Sequence, residues 1–93
     1  MPFIDAIEID DHILDKIESK HGVGFDEACE ACYSDERHVR RGREGLYKVF
    51  SRNEAGRFLL VVLAPLGGGN WKLVTAREMT RQERRLYERS MGR

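Results

Sequence analysis

The sequence contains little cysteine and no long apolar segment. Two cysteines among 93 residues cannot build the disulfide framework of a small secreted domain. No apolar run approaches the roughly 20 residues that a membrane-spanning helix needs. The first residues are acidic and lack the basic start and the apolar stretch of a signal peptide. We therefore expect a cytoplasmic protein that does not bind membranes.

Motifs for metals and nucleotides are also scarce. Cys29 and Cys32 form a single CxxC, whereas a zinc site needs about four ligands and no second CxxC or spaced histidine pair is present. The pair falls within a predicted helix, so we expect two half-buried thiols rather than a redox motif. The three glycines at 67–69 lack the Lys and Ser/Thr of a phosphate-binding loop and are predicted to form a turn. We expect neither a metal nor a cofactor.

Charge is divided unequally along the chain. Residues 1–36 hold eleven Asp and Glu against two Lys, a net charge of −9. Residues 37–93 hold fourteen Lys and Arg against five Glu, a net charge of +9. This segregation indicates an anionic ligand, above all nucleic acid, for the basic part. The alternative is that the two parts fold against each other and neutralise one another.

The distribution of apolar and turn-forming residues predicts one α+β domain over residues 1–93. A weak strand signal at residues 3–9 precedes a helix that begins at Asp10 or Asp11 and ends at Gly22, and a second helix is predicted over residues 25–33. Strands are predicted at residues 46–52, 58–63 and 71–76, with residues 38–41 as a candidate edge strand. Thr80 and Glu83 form a capping box that begins a last helix. The predicted architecture is two N-terminal helices, an antiparallel sheet of three to four strands and a C-terminal helix.

The densest basic segment lies around the start of the C-terminal helix. Arg77 is predicted at the end of the last strand, and the helical spacing of Arg81, Arg84 and Arg85 puts them on one face with Leu86 pointing at the core. A strand-end arginine beside a helix N-terminus can clamp a phosphate. We assign that role to Arg77 and Arg81. On spacing alone, Arg84 and Arg85 fit a solvated basic face that pairs with the acidic part of the chain.

Lys20 and His21 close the first predicted helix. A histidine beside a cation has a pKa range suited to proton transfer near neutral pH. The alternative is that His21 only complements the dipole at the C-terminal end of the helix. The residues alone leave both interpretations open.

Two stretches resemble the BrnT family of bacterial toxins. Residues 20–28 read Lys-His-Gly-Val-Gly-Phe-Asp-Glu-Ala, where the family has Lys-His-Gly-Val-Ser-Phe-Glu-Glu-Ala. Residues 74–77 read Val-Thr-Ala-Arg and are followed by Thr80, Glu83 and Tyr87, similar to the late Ile-Ser-Ala-Arg…Thr…Glu…Tyr stretch of the family. The resemblance covers roughly residues 8–88. Gly24 stands where the family has a serine at the N-cap of the second helix.

The resemblance implies a RelE-like fold and a ribonuclease that cleaves RNA without a metal ion. In that chemistry the 2′-hydroxyl attacks the adjacent phosphorus while basic side chains stabilise the phosphorane and the leaving group. The resemblance also implies a cognate DNA-binding antitoxin, of the ribbon-helix-helix type, that covers the active surface. Operator DNA would then be contacted only through the antitoxin.

The family's functional residues can be carried over by position. This implies a catalytic set of Lys20, His21, Glu44, Arg52, Arg77 and Arg81, with RNA contacts from Arg84, Arg85 and Tyr87. Lys20 or His21 would transfer the proton, and Glu44 would be a base or would orient an arginine. Family members usually show two adjacent Glu before an Arg, whereas residues 43–46 here read Arg-Glu-Gly-Leu. This departure favours the competing hypothesis, a non-catalytic RelE-like module that holds a protein partner or nucleic acid.

Overall fold

The computed structural model describes residues 3–92 and contains three α-helices and five strands in that range. In chain order the elements are β1 (Ala6–Glu8), α1 (Asp11–His21), α2 (Phe25–Tyr33), β2 (His38–Arg41), a 3₁₀ turn (Arg43–Gly45), β3 (Tyr47–Arg52), β4 (Phe58–Gly67), β5 (Asn70–Glu78) and α3 (Arg81–Ser90). The α+β class and the order of helices and strands predicted from the sequence are confirmed. No helix among residues 3–92 is long and apolar enough to cross a membrane.

The five strands form one mixed sheet in the order β1-β5-β4-β3-β2. Strands β2 to β5 pair antiparallel, whereas β1 pairs parallel with the start of β5. The sheet therefore has slightly more strands than the three to four predicted, and the additional one is the parallel edge strand β1. Long-range hydrogen bonds bring in its segment: Trp71 Nε1 donates to the Phe3 carbonyl at 3.0 Å, and Asp5 N donates to the Gly69 carbonyl at 2.7 Å. A three-residue strand that depends on such contacts gives only a weak local signal.

Helices α1 and α2 cover one face of the sheet and enclose the main core. Ile17 of α1 and Ala28, Ala31 and Cys32 of α2 are fully buried. They pack in one cluster with the side chains that alternate toward them along the strands, namely Val49, Leu59, Val61, Leu63, Leu73 and Ala76. Helix α1 ends at Gly22, whose φ of 63° is the left-handed conformation expected at that cap.

Helix α3 lies on the opposite face of the sheet. Tyr87 is buried there, its ring meets the Phe58 ring edge-to-face at 6.0 Å, and its hydroxyl donates to the Glu36 carbonyl at 2.7 Å. The expectation that Leu86 points at the core was wrong, because Leu86 is 44% exposed and Tyr87 takes the inward position. Arg84, three residues before Tyr87, contacts the same Phe58 ring, so this pair defines the side of α3 that faces the sheet.

The predicted capping box of the last helix is present. Glu83 N donates to Thr80 Oγ1 at 3.1 Å, and Thr80 N donates to Glu83 Oε1 at 2.9 Å. Helix α2 has only half of such a box, since Glu27 Oε1 accepts from Gly24 N but glycine offers no side chain in return. Asp10 occupies the N-cap position of α1 without capping it, because its carboxylate pairs with Lys72 at 2.7 Å.

Candidate functional site

Two arginines share one aromatic ring at the end of the sheet where β3 ends and β4 begins. Arg52 and Phe58 are directly opposite each other across these strands. The guanidinium carbons of Arg52 and Arg84 lie 5.0 and 3.9 Å from the centroid of the Phe58 ring, both within cation–π range. We call Arg52, Phe58, Arg77 and Arg84 the arginine cluster, because Arg77 lies on the same face at the end of β5.

The two guanidiniums on Phe58 are not neutralised equally. Arg84 has an exposed ion pair with Glu88, whereas Arg52 has no ion pair within residues 3–92. Arg52 Nε is buried and has no hydrogen-bond partner in the part of the chain that the structure describes. A buried donor without an acceptor is costly, and two nearby cations repel each other. An anion bound at this point would accept a hydrogen bond from Arg52 Nε and would reduce the repulsion between the two guanidiniums.

Arg77 is held by Glu83 through two parallel hydrogen bonds. Arg77 Nη1 and Nη2 donate to Glu83 Oε1 and Oε2 at 2.8 and 2.9 Å, and Nη1 also donates to the Glu78 carbonyl at 3.0 Å. These hydrogen bonds raise the pKa of Arg77 and lower the pKa of Glu83. The Arg77 guanidinium is therefore rigidly oriented, and a carboxylate balances its charge.

Arg57 connects the end of α1 to this end of the sheet. Its Nη1 donates to the Gly22 carbonyl at 3.0 Å and to Glu27 Oε2 at 2.8 Å, while Nη2 reaches Glu78 Oε2 at 3.2 Å. The Arg57 network places Lys20 and His21, which immediately precede Gly22, at the same end of the molecule as Arg77. Lys20 is exposed and His21 is half-buried.

The other residues suggested by the resemblance lie in different settings. Arg81 and Arg85 are exposed on α3, next to the arginine cluster in sequence. Glu44 lies in the turn between β2 and β3, in a left-handed conformation with φ 58°. That turn is at the opposite end of β3 from Arg52, so the structure does not bring Glu44 to the arginine cluster. Tyr87 supports the cluster from inside the protein, where its hydroxyl is bonded to a backbone carbonyl.

Two residues of this region were missed in the sequence. Phe58 was assigned to a strand but not to a site, because its place opposite Arg52 depends on the register of the β3–β4 hairpin. That register is set by Asn53, whose Oδ1 accepts from Arg57 N at 2.8 Å and whose Nδ2 donates to Glu27 Oε2. Arg57 directly follows the turn glycine Gly56. The AsnxxxArg spacing across the predicted hairpin loop was the only hint.

A cleft of about 520 Å³ opens beside Arg52 and is lined mainly by acidic and polar side chains of α2 and the β3–β4 turn. Cys29 lines this cleft, and burial together with Asp26 and Glu30 raises the pKa of its thiol. Burial raises the pKa of Cys32 to about 12. Both cysteines are free thiols; Cys29 is half-buried, as predicted, whereas Cys32 is fully buried. No group of three or more His, Cys, Asp or Glu that could hold a metal ion is found among residues 3–92.

The division of charge in the sequence becomes a division in space. Exposed acidic residues of α1 and α2 lie on one side of the sheet, and exposed arginines of α3 lie on the other. The ion pairs of Lys72 with Asp10 and of Arg57 with Glu27 join the two parts of the chain. The pairs of Arg77 and Arg84 form within the basic part. The two parts therefore neutralise each other only locally.

Comparison with solved structures identifies a similar fold. The crystal structure of the Brucella abortus ribonuclease toxin BrnT superposes with a TM-score of 0.65, covering 82% of this chain and 97% of that chain at 14% sequence identity. No family model and no curated protein matches the sequence. At 14% sequence identity this similarity shows a shared fold and nothing further. The chain has a BrnT-like fold, as the two sequence stretches predicted.

Proposed function

We propose that this protein is an endoribonuclease toxin that cleaves RNA without a metal ion. The observation that carries the proposal is the arginine cluster, in which Arg52 and Arg84 share the Phe58 ring and the buried Arg52 Nε has no acceptor. Such a site suits the phosphate of an RNA chain, because guanidinium donors are fixed where negative charge develops in the transition state. The similarity in fold to a ribonuclease toxin supports the same class of activity.

In the proposed reaction the 2′-oxygen attacks the adjacent phosphorus and gives up its proton to a base. The bond to the 5′-oxygen breaks, this oxygen takes up a proton, and the RNA is left with a 2′,3′-cyclic phosphate. Arg52 and Arg77 would stabilise the phosphorane, and Lys20 or His21 would transfer protons. Arg81, Arg84 and Arg85 would bind flanking phosphates. Glu44 has no part in this step, because it lies at the other end of the sheet.

Cleavage assays in excess EDTA test this function. We expect purified protein to cleave single-stranded RNA in the presence of the chelator and to leave 2′,3′-cyclic phosphate ends. Activity that disappears with EDTA and returns with Mg²⁺ would contradict the proposed chemistry.

A second candidate function is a non-catalytic module that binds RNA or a protein partner. The ion pair between Arg77 and Glu83 favours it, because a neutralised arginine is less available to a transition state. Under this hypothesis the protein binds RNA and releases it unchanged. Product analysis in the same assay separates the two functions.

We also propose that a DNA-binding antitoxin of the ribbon-helix-helix type neutralises the protein, and that operator DNA is contacted only through this partner. An antitoxin that silences the toxin must cover the arginine cluster, so its binding should weaken as salt rises and should compete with RNA. Titration of the purified pair at several salt concentrations tests this. An affinity that is indifferent to salt would contradict binding of the partner over the arginine cluster.

A further inference from the structure

Two cations face each other directly across β2 and β3. Arg40 and Lys48 occupy opposite positions in the register of these strands, and both side chains are exposed. Neither has an ion pair or hydrogen bond within residues 3–92. Like charges in this position destabilise a sheet. An anionic ligand bound at this position would reduce the repulsion between them.

These cations continue the arginine cluster along the sheet. Lys48, Phe50 and Arg52 alternate along β3, so they project from one face, the face on which α3 lies. His38 is opposite Phe50 on β2, one position along from the Arg40–Lys48 pair. We call His38, Arg40, Lys48 and Phe50 the β2–β3 strip. It forms a row of basic groups around one aromatic ring.

Helix α3 leaves the strip partly open. His38, Arg40 and Phe50 line a small cavity of about 50 Å³ together with Leu86, Tyr87 and Glu83, whose carboxylate is engaged by Arg77. Leu86 remains 44% exposed at its rim. A basic strip with apolar side chains between its charges is the arrangement by which proteins follow the backbone of a single-stranded nucleic acid.

We infer that the β2–β3 strip is a second RNA-binding subsite, in which Arg40 and Lys48 bind backbone phosphates next to the phosphate held by the arginine cluster. This inference rests on the proposed function. An acidic protein segment is the other anion that could bind here. RNA is favoured because the strip leads directly into Arg52, whose buried Nε still lacks an acceptor.

The test compares Arg40→Thr/Lys48→Thr with Lys16→Gln/Arg89→Gln, a control that removes the same charge from exposed positions outside the strip. Threonine is chosen because it suits a strand. The probe is a 2′-O-methyl RNA oligonucleotide, which cannot be cleaved by 2′-hydroxyl attack. Each phosphate contact in single-stranded nucleic acid contributes about 0.7 to the magnitude of the slope of log affinity against log salt. Because the strip variant loses two such contacts, the magnitude of its slope should decrease by about 1.4. It should stay unchanged in the control.

Lys48→Glu provides a second, independent measurement. A glutamate opposite Arg40 forms an attractive cross-strand pair, so the urea midpoint should rise while RNA affinity falls. An unchanged salt slope in the strip variant, or equal loss of slope in the control, would overturn the inference. Polyglutamate that binds wild-type protein as tightly as RNA, and loses affinity equally in the strip variant, would overturn it in favour of an acidic protein partner.

The outcomes also separate this inference from the proposed ribonuclease. Strip-dependent binding by a protein that cleaves no RNA would support the subsite and contradict the enzyme. Cleavage with a salt slope that does not depend on the strip would support the enzyme and contradict the subsite.

Discussion

Arg77 and Glu83 join the end of β5 to the first turn of α3 through two parallel hydrogen bonds of 2.8 and 2.9 Å. Glu83 Oε1 also accepts from Thr80 N, so one carboxylate orients the arginine and caps the helix. Bidentate geometry of this kind fixes a guanidinium far better than a single contact does. Glu83 therefore orients the Arg77 guanidinium for contact with a phosphate, and it also neutralises part of the arginine's charge.

Replacing Arg77 by lysine should distinguish these two effects. Lysine keeps the charge but loses the planar pair of donors, so we expect the cleavage rate at saturating RNA to fall about a hundredfold. RNA affinity should change less. Arg89→Ala, at the exposed C-terminal end of α3, should cleave at the wild-type rate. Equal rates for the two variants, with folding verified by circular dichroism, would exclude Arg77 from the site and favour the binding module.

The capping box predicts a stability effect at Thr80. Its hydroxyl accepts from Glu83 N at 3.1 Å, so Thr80→Ala leaves that donor without its side-chain partner. We expect a loss of about 1 kcal/mol in the free energy of unfolding, measured by urea denaturation. Thr80→Ser retains the hydroxyl and should restore most of the stability. An unchanged midpoint in the alanine variant would show that the cap contributes nothing.

Acidification should destabilise the folded protein through Glu83 and Glu27. Hydrogen bonds from Arg77 lower the pKa of Glu83, and those from Gly24 N and then Arg57 lower the pKa of Glu27. As the pH falls, both carboxylates are therefore protonated at a higher pH in the unfolded chain than in the folded protein. The stability that they contribute is complete above about pH 5 and is lost as the pH falls through about 4 and below.

Urea midpoints measured between pH 7 and pH 3 check this direction. The Glu83→Gln variant should lose less stability over the acidic range than the wild type does. A variant that follows the wild-type pH profile without change would contradict the assignment of Glu83.

Arg57 should matter for both stability and site geometry. Arg57→Gln removes donors to the Gly22 carbonyl, Glu27 and Glu78, and we expect a loss of about 1–2 kcal/mol. Because the same contacts hold the end of α1 near β5, the cleavage rate should fall more than RNA affinity does. Arg89→Gln serves as the control for a lost exposed arginine, and urea denaturation with parallel cleavage assays gives both readouts.

Short-range sequence signals were enough to predict most of the helices and strands of this fold. Gly22 ends α1 because only a residue without a side chain enters the left-handed conformation easily. Thr80 and Glu83 begin α3 because their spacing of three lets each satisfy a backbone N–H of the other. Enrichment in Val, Leu, Phe and Tyr marks β3 and β4 as strands. These signals lie within a few residues of each other and need no distant partner.

Short-range signals could not predict which residues come together in the candidate site. Phe58 meets Arg52 and Arg84 only after the β3–β4 hairpin has its register and α3 has packed through Tyr87. Glu44, close to Arg52 in sequence, lies at the other end of β3, because six residues of extended strand separate them in space.

The sequence by itself determined the helices, most of the strands, the separation of charge and the BrnT-like resemblance, since each depends on composition or short-range spacing. The tertiary structure decided that Leu86 stays exposed while Tyr87 is buried, that a short fifth strand joins the sheet, and that Arg40 faces Lys48 beside the arginine cluster. These outcomes depend on strand register and helix packing. Both are fixed by contacts between residues that are distant in sequence, and no local pattern encodes such contacts.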